Sequence, residues 1–506
     1  MATTNISALW NLDTHPRVSG YLNYLGREPL QLQNFIENQF LNSEHTSEWI
    51  DSFEPRSGKV LANVPRSPAN VVEYAVNVAS RAFPAWSQTT AQHRSEILLR
   101  IASIMEQKKE MFSMWESNDQ GKPLFRARVE VERSIEHFRY FAKYILENDS
   151  AVHLNKGQGA STLTYQHQVP VGVYAIITSW NMPLYLLTSK IAPCLAFGCT
   201  GVAKPSELTS VTAFLFSEVL RRAYLPPGVM NIIFGDGPGT GSTLVSSPLV
   251  QGVSFTGGAK TGIQIRENTA PDIHKRLSLE IKGSCPTLIF ADVDMDEAAS
   301  IAGFAAFENS GQLCLSGSRI YVHRSVYQMF LPRLIRHLQL DYHIREGLGP
   351  VISPEHYDKI RSYLVEAGEQ PANATFEAGD IPAEVPKDGF WIPATILSDV
   401  RIDGLVRRDI FGPVATVYPF DTEEEVVGLC NDNPNGMGAI ILTDDLSRMS
   451  RVGNRLNASF VWAGCSLGRD LGAGITDLMA TGTGREGGAR ARDMFTRLRA
   501  VHVPSY

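Results

Sequence analysis

Four things are scarce in this sequence, and each scarcity closes off a class of protein. Only six cysteines occur in 506 residues (Cys194, Cys199, Cys285, Cys314, Cys430 and Cys465), and no two form a CxxC pair. That is too few for a disulfide framework and the wrong spacing for a zinc knuckle, so the thiols read as reduced and no metal is expected. No apolar run reaches the roughly 20 residues that cross a bilayer, and the opening MATTNISALW has neither the basic start nor the apolar stretch of a secretory leader. A cytoplasmic protein with no membrane partner is expected. Lys and Arg number 46 against 53 Asp and Glu, a net charge of −7, and the cations nowhere form a run. This removes the electrostatic footprint that nucleic acid requires. Internal repeats and low-complexity linkers are also missing, which leaves domain boundaries soft.

What remains is an ordinary globular chain with 43% hydrophobic and 20% charged residues. Its length exceeds the roughly 250–300 residues that one core serves, so several packed layers are expected. From Leu32 to Pro65, short alternating runs broken by Pro and Gly predict antiparallel strands. From about Pro68 to Leu146, apolar residues recur at three and four, predicting three amphipathic helices. After Thr162, Val- and Ile-rich strands such as VGVYAIIT and VMNIIFG alternate with helical segments. That alternation implies parallel βαβ units and a doubly wound α/β sheet, which binds ligands at the carboxyl ends of its strands. A second α/β series runs from Ala291 to about Ala463, and the tail MFTRLRAVHVPSY ends as a strand.

Two glycine-rich turns leave strands in the first series: FGDGPGTG, with Gly237 and Gly241, and FTGGAKTG, with Phe255, Thr256, Gly257, Gly258 and Gly262. Neither has the GxGxxG spacing, but the second enters a helix, whose free N–H groups could face a pyrophosphate. Cys314, in ENSGQLCLSGSR, has glycines on both sides that leave room for a substrate. Glu280 closes the strand-like run LSLEI. Each of these alone has an ordinary structural explanation: a turn, a small buried thiol, a surface carboxylate.

Taken in order, however, SWNMPL, KPSE, FTGGAKTG, LSLEIKG, GQLC and DIFGPV resemble the aldehyde dehydrogenase superfamily over roughly residues 31 to 500. Within it FPAWS, SNDQGK, NMPLYLLTSKIAP, AKPSELTSVTA and PPGVMNIIFG most resemble the 2-aminomuconic semialdehyde dehydrogenase subfamily. The resemblance implies a Rossmann-like NAD domain (31–147 and 168–283), an α/β catalytic domain (284–486), oligomerisation strands (148–167 and 487–506) and an N-terminal extension (1–30). It implies NAD as cofactor, a small aldehyde as substrate, and a homodimer or homotetramer. Cys314 would be the nucleophile, Asn181 an oxyanion donor and Glu280 the base that activates water. Ser179, Trp180, Lys204, Glu207, Ile281, Asp409 and Phe411 would join the two turns in holding the cofactor, with Lys204 and Glu207 at the adenosine ribose. Arg133 and Arg469 match two arginines that face substrate carboxylates in that subfamily.

The chain also departs from the family. Gly258 stands where a serine is usual, Asp409 where glutamate is usual, and LEIKGSCP places Lys282 where a glycine is usual. GITD, from Gly474, replaces a segment with a substrate-facing aromatic, and Gly464 an asparagine. These changes surround the substrate funnel and the nicotinamide end, and they predict altered substrate choice. They also motivate one alternative, a catalytically weak or inactive NAD-binding scaffold subunit; a second alternative, an enzyme that passes its thioester to CoA, is opposed by the presence of Glu280.

Overall fold

The computed structural model describes residues 6–10, 28–41, 48–147, 152–156, 161–281, 283–344, 346–368, 374–378, 385–398, 410–476 and 479–505. Lys282, Asp409, most of the 1–30 extension and parts of 148–167 therefore lie outside the described residues.

Val173–Ile177 is buried along its whole length, as is Thr200–Lys204, which is the pattern of strands covered on both faces. They lie inside a seven-stranded sheet ordered Arg276–Ile281, Val250–Gly257, Val173–Ile177, Thr200–Lys204, Met230–Ile232, Phe35–Ile36, Gln39–Phe40. The first five strands are parallel and the last two antiparallel. Strand alternation divides the core. Tyr174 and Ile176 pack with Leu184, Leu187 and Phe214 from the helices Pro183–Ala196 and Val211–Arg222. Val173, Ala175 and Ile177 pack on the other face against Val72, Ala75 and Val76 of Ala69–Ser87. From Val173–Ile177 the chain steps outward on one side, then crosses over to build Val250–Gly257 and Arg276–Ile281 on the other. Strand order reverses there, and a crevice opens at the carboxyl ends of those two neighbours.

A second seven-stranded sheet is ordered Ala374–Ala378, Ala394–Ser398, Val414–Phe420, Arg319–His323, Pro286–Ile289, Gly438–Leu442, Phe460–Ala463. Only its outer strand Ala374–Ala378 is antiparallel. Helices Met295–Phe307 and Arg324–Asp341 cover one face, and Pro354–Gly368 and Glu423–Asn431 the other. Both sheets have the α/β character predicted from strand and helix alternation. No described helix is long and apolar enough to cross a membrane.

Three local expectations need correction. The region 69–144 holds four helices, because the middle run breaks at Lys108 (φ −108°, ψ 15°) into Ala91–Gln107 and Lys109–Gln120. Trp49–Glu54 and Lys59–Pro65 pair antiparallel as predicted, but Phe35–Ile36 and Gln39–Phe40 of the same segment leave them and extend the first seven-stranded sheet. Residues 488–495, expected as strand, form the helix Gly488–Phe495, with Ala491, Met494 and Phe495 in the first core. The strand begins only at Thr496, pairing with Ser161–Pro170 from Thr496↔Pro170 to Ser505↔Ser161.

Candidate active site

The crevice at the strand-order reversal continues into a cavity of about 330 Å³ whose far wall comes from the second sheet. Cys314 reaches it from a sharp turn after Met295–Phe307, in which Asn309, Ser310 and Gly311 have φ of 51°, 56° and 68°. A Cβ on Gly311 would lie 2.0 Å from the Gly412 carbonyl oxygen, so only glycine allows this approach. The turn is stitched to the first sheet. Asn181 Nδ2 donates to the Gln312 carbonyl (3.0 Å), and Asn309 Nδ2 donates to the Asn181 carbonyl (2.8 Å). Ser179 Oγ donates to Asn181 Oδ1 at 2.7 Å, which fixes the amide with its nitrogen toward the Cys314 loop. The nitrogen has two hydrogens, and the Gln312 carbonyl uses one. Cys314 is half-buried and is not in a disulfide.

Glu280 stands at the end of Arg276–Ile281, opposite Thr256 on the neighbouring strand. The Thr256 hydroxyl donates to Glu280 Oε2 at 2.8 Å, and Lys190 Nζ lies 3.7 Å from the same oxygen. Lys190 also pairs with Glu486 Oε1 at 2.5 Å, and Glu486 Oε2 accepts from Arg469 Nη2 at 2.8 Å. Burial first, and the Glu486 charge second, push the Glu280 carboxyl above the ordinary carboxylate range, while Lys190, Arg469 and the Thr256 bond pull against them. Burial opposes the ionisation of Glu486 too, but Lys190 and Arg469 outweigh it and hold that carboxyl well below its usual value.

Around this centre the cavity gathers Arg133, Ser179, Trp180, Asn181, Thr256, Gly257, Gly258, Ile281, Phe411 and Arg469 with Cys314 and Glu280. Trp180 meets Phe411 edge-on at 5.6 Å, and His356 closes the group with its Nε2 2.7 Å from the Phe411 carbonyl. Gly257 and Gly262 make room for packing: added Cβ atoms would strike the Phe255 ring at 2.5 Å and Ile281 Cδ1 at 2.8 Å. Phe255 is itself buried and lies outside the cavity lining. Gly258 caps the helix Ala259–Thr269, with no described residue beyond its chain neighbours within 4 Å of its Cβ position. Lys204, Glu207, Gly237 and Gly241 are absent from the lining and group at the adjacent strand end. There Lys204 Nζ donates to the Gly235 carbonyl (2.6 Å) and lies 3.3 Å from Glu207 Oε2, and an added Gly241 Cβ would be 3.6 Å from Lys204 Cε.

The two arginines differ. Arg133, on Leu124–Tyr144, is exposed to the cavity, and no hydrogen bond or ion pair engages it among the described residues. Arg469 is committed to Glu486 and to the Tyr185 hydroxyl (3.0 Å), with its buried Nε left without a partner among the described residues. The remaining apolar wall includes Phe460 and Trp462, stacked at 5.2 Å. Ile475 is not part of it and pairs instead with Glu486 in a short antiparallel ladder.

Reading the sequence alone missed Lys190, Glu486, Tyr185, His356 and Lys122 as parts of this site. One signal was available for Lys190, which is a lone cation inside the apolar run PLYLLTSKIAPCLAF. A charge there has to find a buried partner.

Two largely parallel α/β layers meet at a strand-order reversal whose cavity is lined by both a cysteine and a carboxylate, and the comparisons identify the class of protein. The profile described as the aldehyde dehydrogenase family matches residues 40–501. The chain belongs to that family of oxidoreductases acting on aldehydes. It is 39% identical over 487 residues to the 2-aminomuconic semialdehyde dehydrogenase of Mus musculus, covering 94% of this chain and 99% of that one. The 2-aminomuconic 6-semialdehyde dehydrogenase of Pseudomonas sp is 36% identical, covering 94% and 98%. Among solved structures, an NAD+ complex of an aldehyde dehydrogenase from Bacillus cereus superposes with a TM-score of 0.88 at 28% identity, covering 98% of this chain and 100% of that one.

Proposed function

We propose that this chain oxidises a carboxylate-bearing aldehyde to the acid, with NAD as oxidant, through a thioester on Cys314. The observation that carries the reading is the convergence of Cys314, Asn181 and Glu280 on one cavity that also presents the guanidinium of Arg133, which has no hydrogen bond among the described residues.

The Cys314 thiolate adds to the aldehyde carbon, and the oxyanion that forms takes the free Asn181 amide N–H and the Cys314 backbone N–H. NAD held in the crevice would supply the hydride acceptor, so that loss of hydride from this adduct leaves the thioester on Cys314. Glu280 then takes a proton from water as the water attacks the thioester carbon, and the acid departs as the thiolate re-forms. A carboxyl raised by burial is suited to that transfer.

The residues present fit NAD. The open position at Gly258 lets a pyrophosphate approach the N–H groups of Ala259–Thr269. Glu207, about a third exposed beside Lys204, would accept ribose hydroxyls and repel a 2′-phosphate. Trp180, Phe411 and Ile281 offer apolar surface at the nicotinamide end.

In the division we propose, 31–147 with 168–283 binds the dinucleotide, 284–486 carries the thiol, and the strands Val152–Lys156, Ser161–Pro170 and Thr496–Ser505 meet a second copy. Val152, Leu154, Leu163, Tyr165 and Leu498 of those strands are exposed, an apolar surface that a homodimer or homotetramer would cover.

The test is NADH formation, followed by absorbance, with neutral and carboxylate-bearing aldehydes and with Cys314→Ala. Turnover that favours the acidic aldehydes and vanishes in the variant supports the reading. Folded wild-type protein that binds NAD but gives no burst with any aldehyde overturns it in favour of a scaffold role.

A further inference from the structure

The motif SNDQGK has no role in the mechanism above, although all six of its residues are buried. It ends at Lys122, whose side chain is 2% exposed and lines the active-site cavity. Lys122 Nζ donates to the Asn181 carbonyl at 3.2 Å and pairs closely with Glu130 Oε2, while Glu116 Oε1 lies 4.0 Å away. Its backbone is equally fixed, with the Lys122 carbonyl accepting from Arg56 Nη2 and Ser117 Oγ, each at 2.6 Å. Glu130 sits on Leu124–Tyr144 three residues before Arg133, so it is one turn from the guanidinium at the cavity mouth.

We infer that Lys122 is a positioning residue: it braces the Asn181 carbonyl against the helix that carries Arg133, and so holds the oxyanion donor in register with the substrate-binding arginine. The inference rests on the mechanism proposed above. Three atoms fix the Asn181 side-chain amide and its peptide: Ser179 Oγ on Oδ1, the Gln312 carbonyl on Nδ2, and Asn309 Nδ2 on the carbonyl. All three belong to the Asn181 loop itself or to the Cys314 loop. Lys122 alone among these partners ties Asn181 to the substrate side of the cavity. Without it the amide can follow the thiol loop while losing registration with Arg133. A displacement of about 1 Å at an oxyanion donor costs on the order of a hundredfold in rate.

Lys122→Met leaves Glu130 buried without its cation and can fail to fold, so Lys122→Met/Glu130→Gln is made alongside it, since removing both charges of a buried pair is often neutral for stability. For a carboxylate-bearing aldehyde, the single-turnover NADH burst of the folded double variant should slow by about tenfold to a hundredfold. NAD affinity and the rate of Cys314 alkylation by iodoacetamide, a displacement that forms no oxyanion, should stay at the wild-type level. Adding Asn181→Ala to the double variant should slow the burst little beyond Asn181→Ala alone. A wild-type burst rate in the double variant would overturn the inference, as would alkylation falling in step with the burst, or additive losses on combination with Asn181→Ala. A wild-type protein with no burst would overturn the mechanism itself, an outcome these variants do not mimic.

Discussion

Two buried groups of charges flank the cavity, and they differ in balance. On one side Glu280 and Glu486 face Lys190 and Arg469, two acids to two cations. On the other, Glu116 and Glu130 lie against the ammonium of Lys122, and Asp119, on the same helix as Glu116, accepts from the Val211 N–H at 2.8 Å. Exposure differs as well: 15% for Glu280 and 13% for Glu486 against 0–4% for the four side chains of the second group. Where cations match acids and water has partial access, a carboxylate can change protonation state at modest cost. Where acids outnumber cations in a dry interior, ionisation is suppressed. Burial pushes Asp119 up to about 8 and Glu116 well above its usual value. In the mechanism we propose the first group moves a proton, whereas the second holds helices: Glu116 and Asp119 accept from the Leu184 and Val211 N–H groups at the starts of Pro183–Ala196 and Val211–Arg222.

The largest effect that would sharpen this contrast is on turnover. Glu280→Gln keeps the side-chain shape but cannot take a proton from water. Its NADH burst should survive while steady-state turnover falls by about 10²–10⁴-fold, the usual range for a general base. A burst lost together with turnover would show that Glu280 acts before the thioester forms, and the division between the groups would fail.

Next comes stability on the second side. Asp119 has a folded pKa of about 8, above its unfolded value near 4, so its neutral form favours folding. That contribution is fully present at low pH and is lost as pH rises from the unfolded value toward 8. Asp119→Asn stays neutral and can still accept from Val211. Urea denaturation should show it more stable than wild type by roughly 2–5 kcal/mol above about pH 8, with the advantage disappearing near pH 4. Glu486 has the opposite sign. Its folded pKa is depressed, so its ion pairs stabilise at neutral pH and lose that effect as pH falls below the unfolded value.

Arg133 tests the mouth of the cavity. Removing a charge-assisted hydrogen bond to a carboxylate costs about 1.5–3 kcal/mol. Arg133→Ala should therefore raise KM for carboxylate-bearing aldehydes by roughly 10- to 100-fold and leave neutral aldehydes unchanged. Equal losses on both substrate types would assign Arg133 to the scaffold.

Much of this architecture was legible in the chain because its signals are local. Val- and Ile-rich runs between helical segments announce parallel strands, and the ordered motifs around Asn181, Glu280 and Cys314 carry the family. The balanced group was not legible, because it joins Lys190 to Glu486 across 296 positions. Nothing near either residue in the sequence names the other. The helix break at Lys108 has no glycine or proline to mark it, and the helix Gly488–Phe495 hides behind a doublet, Gly487 and Gly488, with φ of 72° and 40°. Periodicity read over windows of a dozen residues cannot find contacts that only packing creates.

The smallest predicted effect concerns the cofactor turn. Gly258 has φ −74° and ψ 150°, a conformation open to any residue, and among the described residues beyond its chain neighbours no heavy atom lies within 4 Å of its Cβ position. It is also the N-cap of Ala259–Thr269, and no side chain caps that helix. A serine there costs no steric strain, gains a few tenths of a kcal/mol as a cap, and offers a hydroxyl toward a pyrophosphate. One added hydrogen bond contributes about 0.5–1.5 kcal/mol. Gly258→Ser should thus tighten NAD binding by about two- to tenfold in calorimetric titration, with the burst rate at saturating NAD unchanged. Weaker binding would mean that the pyrophosphate does not pass over this turn, and that glycine is kept here for close approach of a different group.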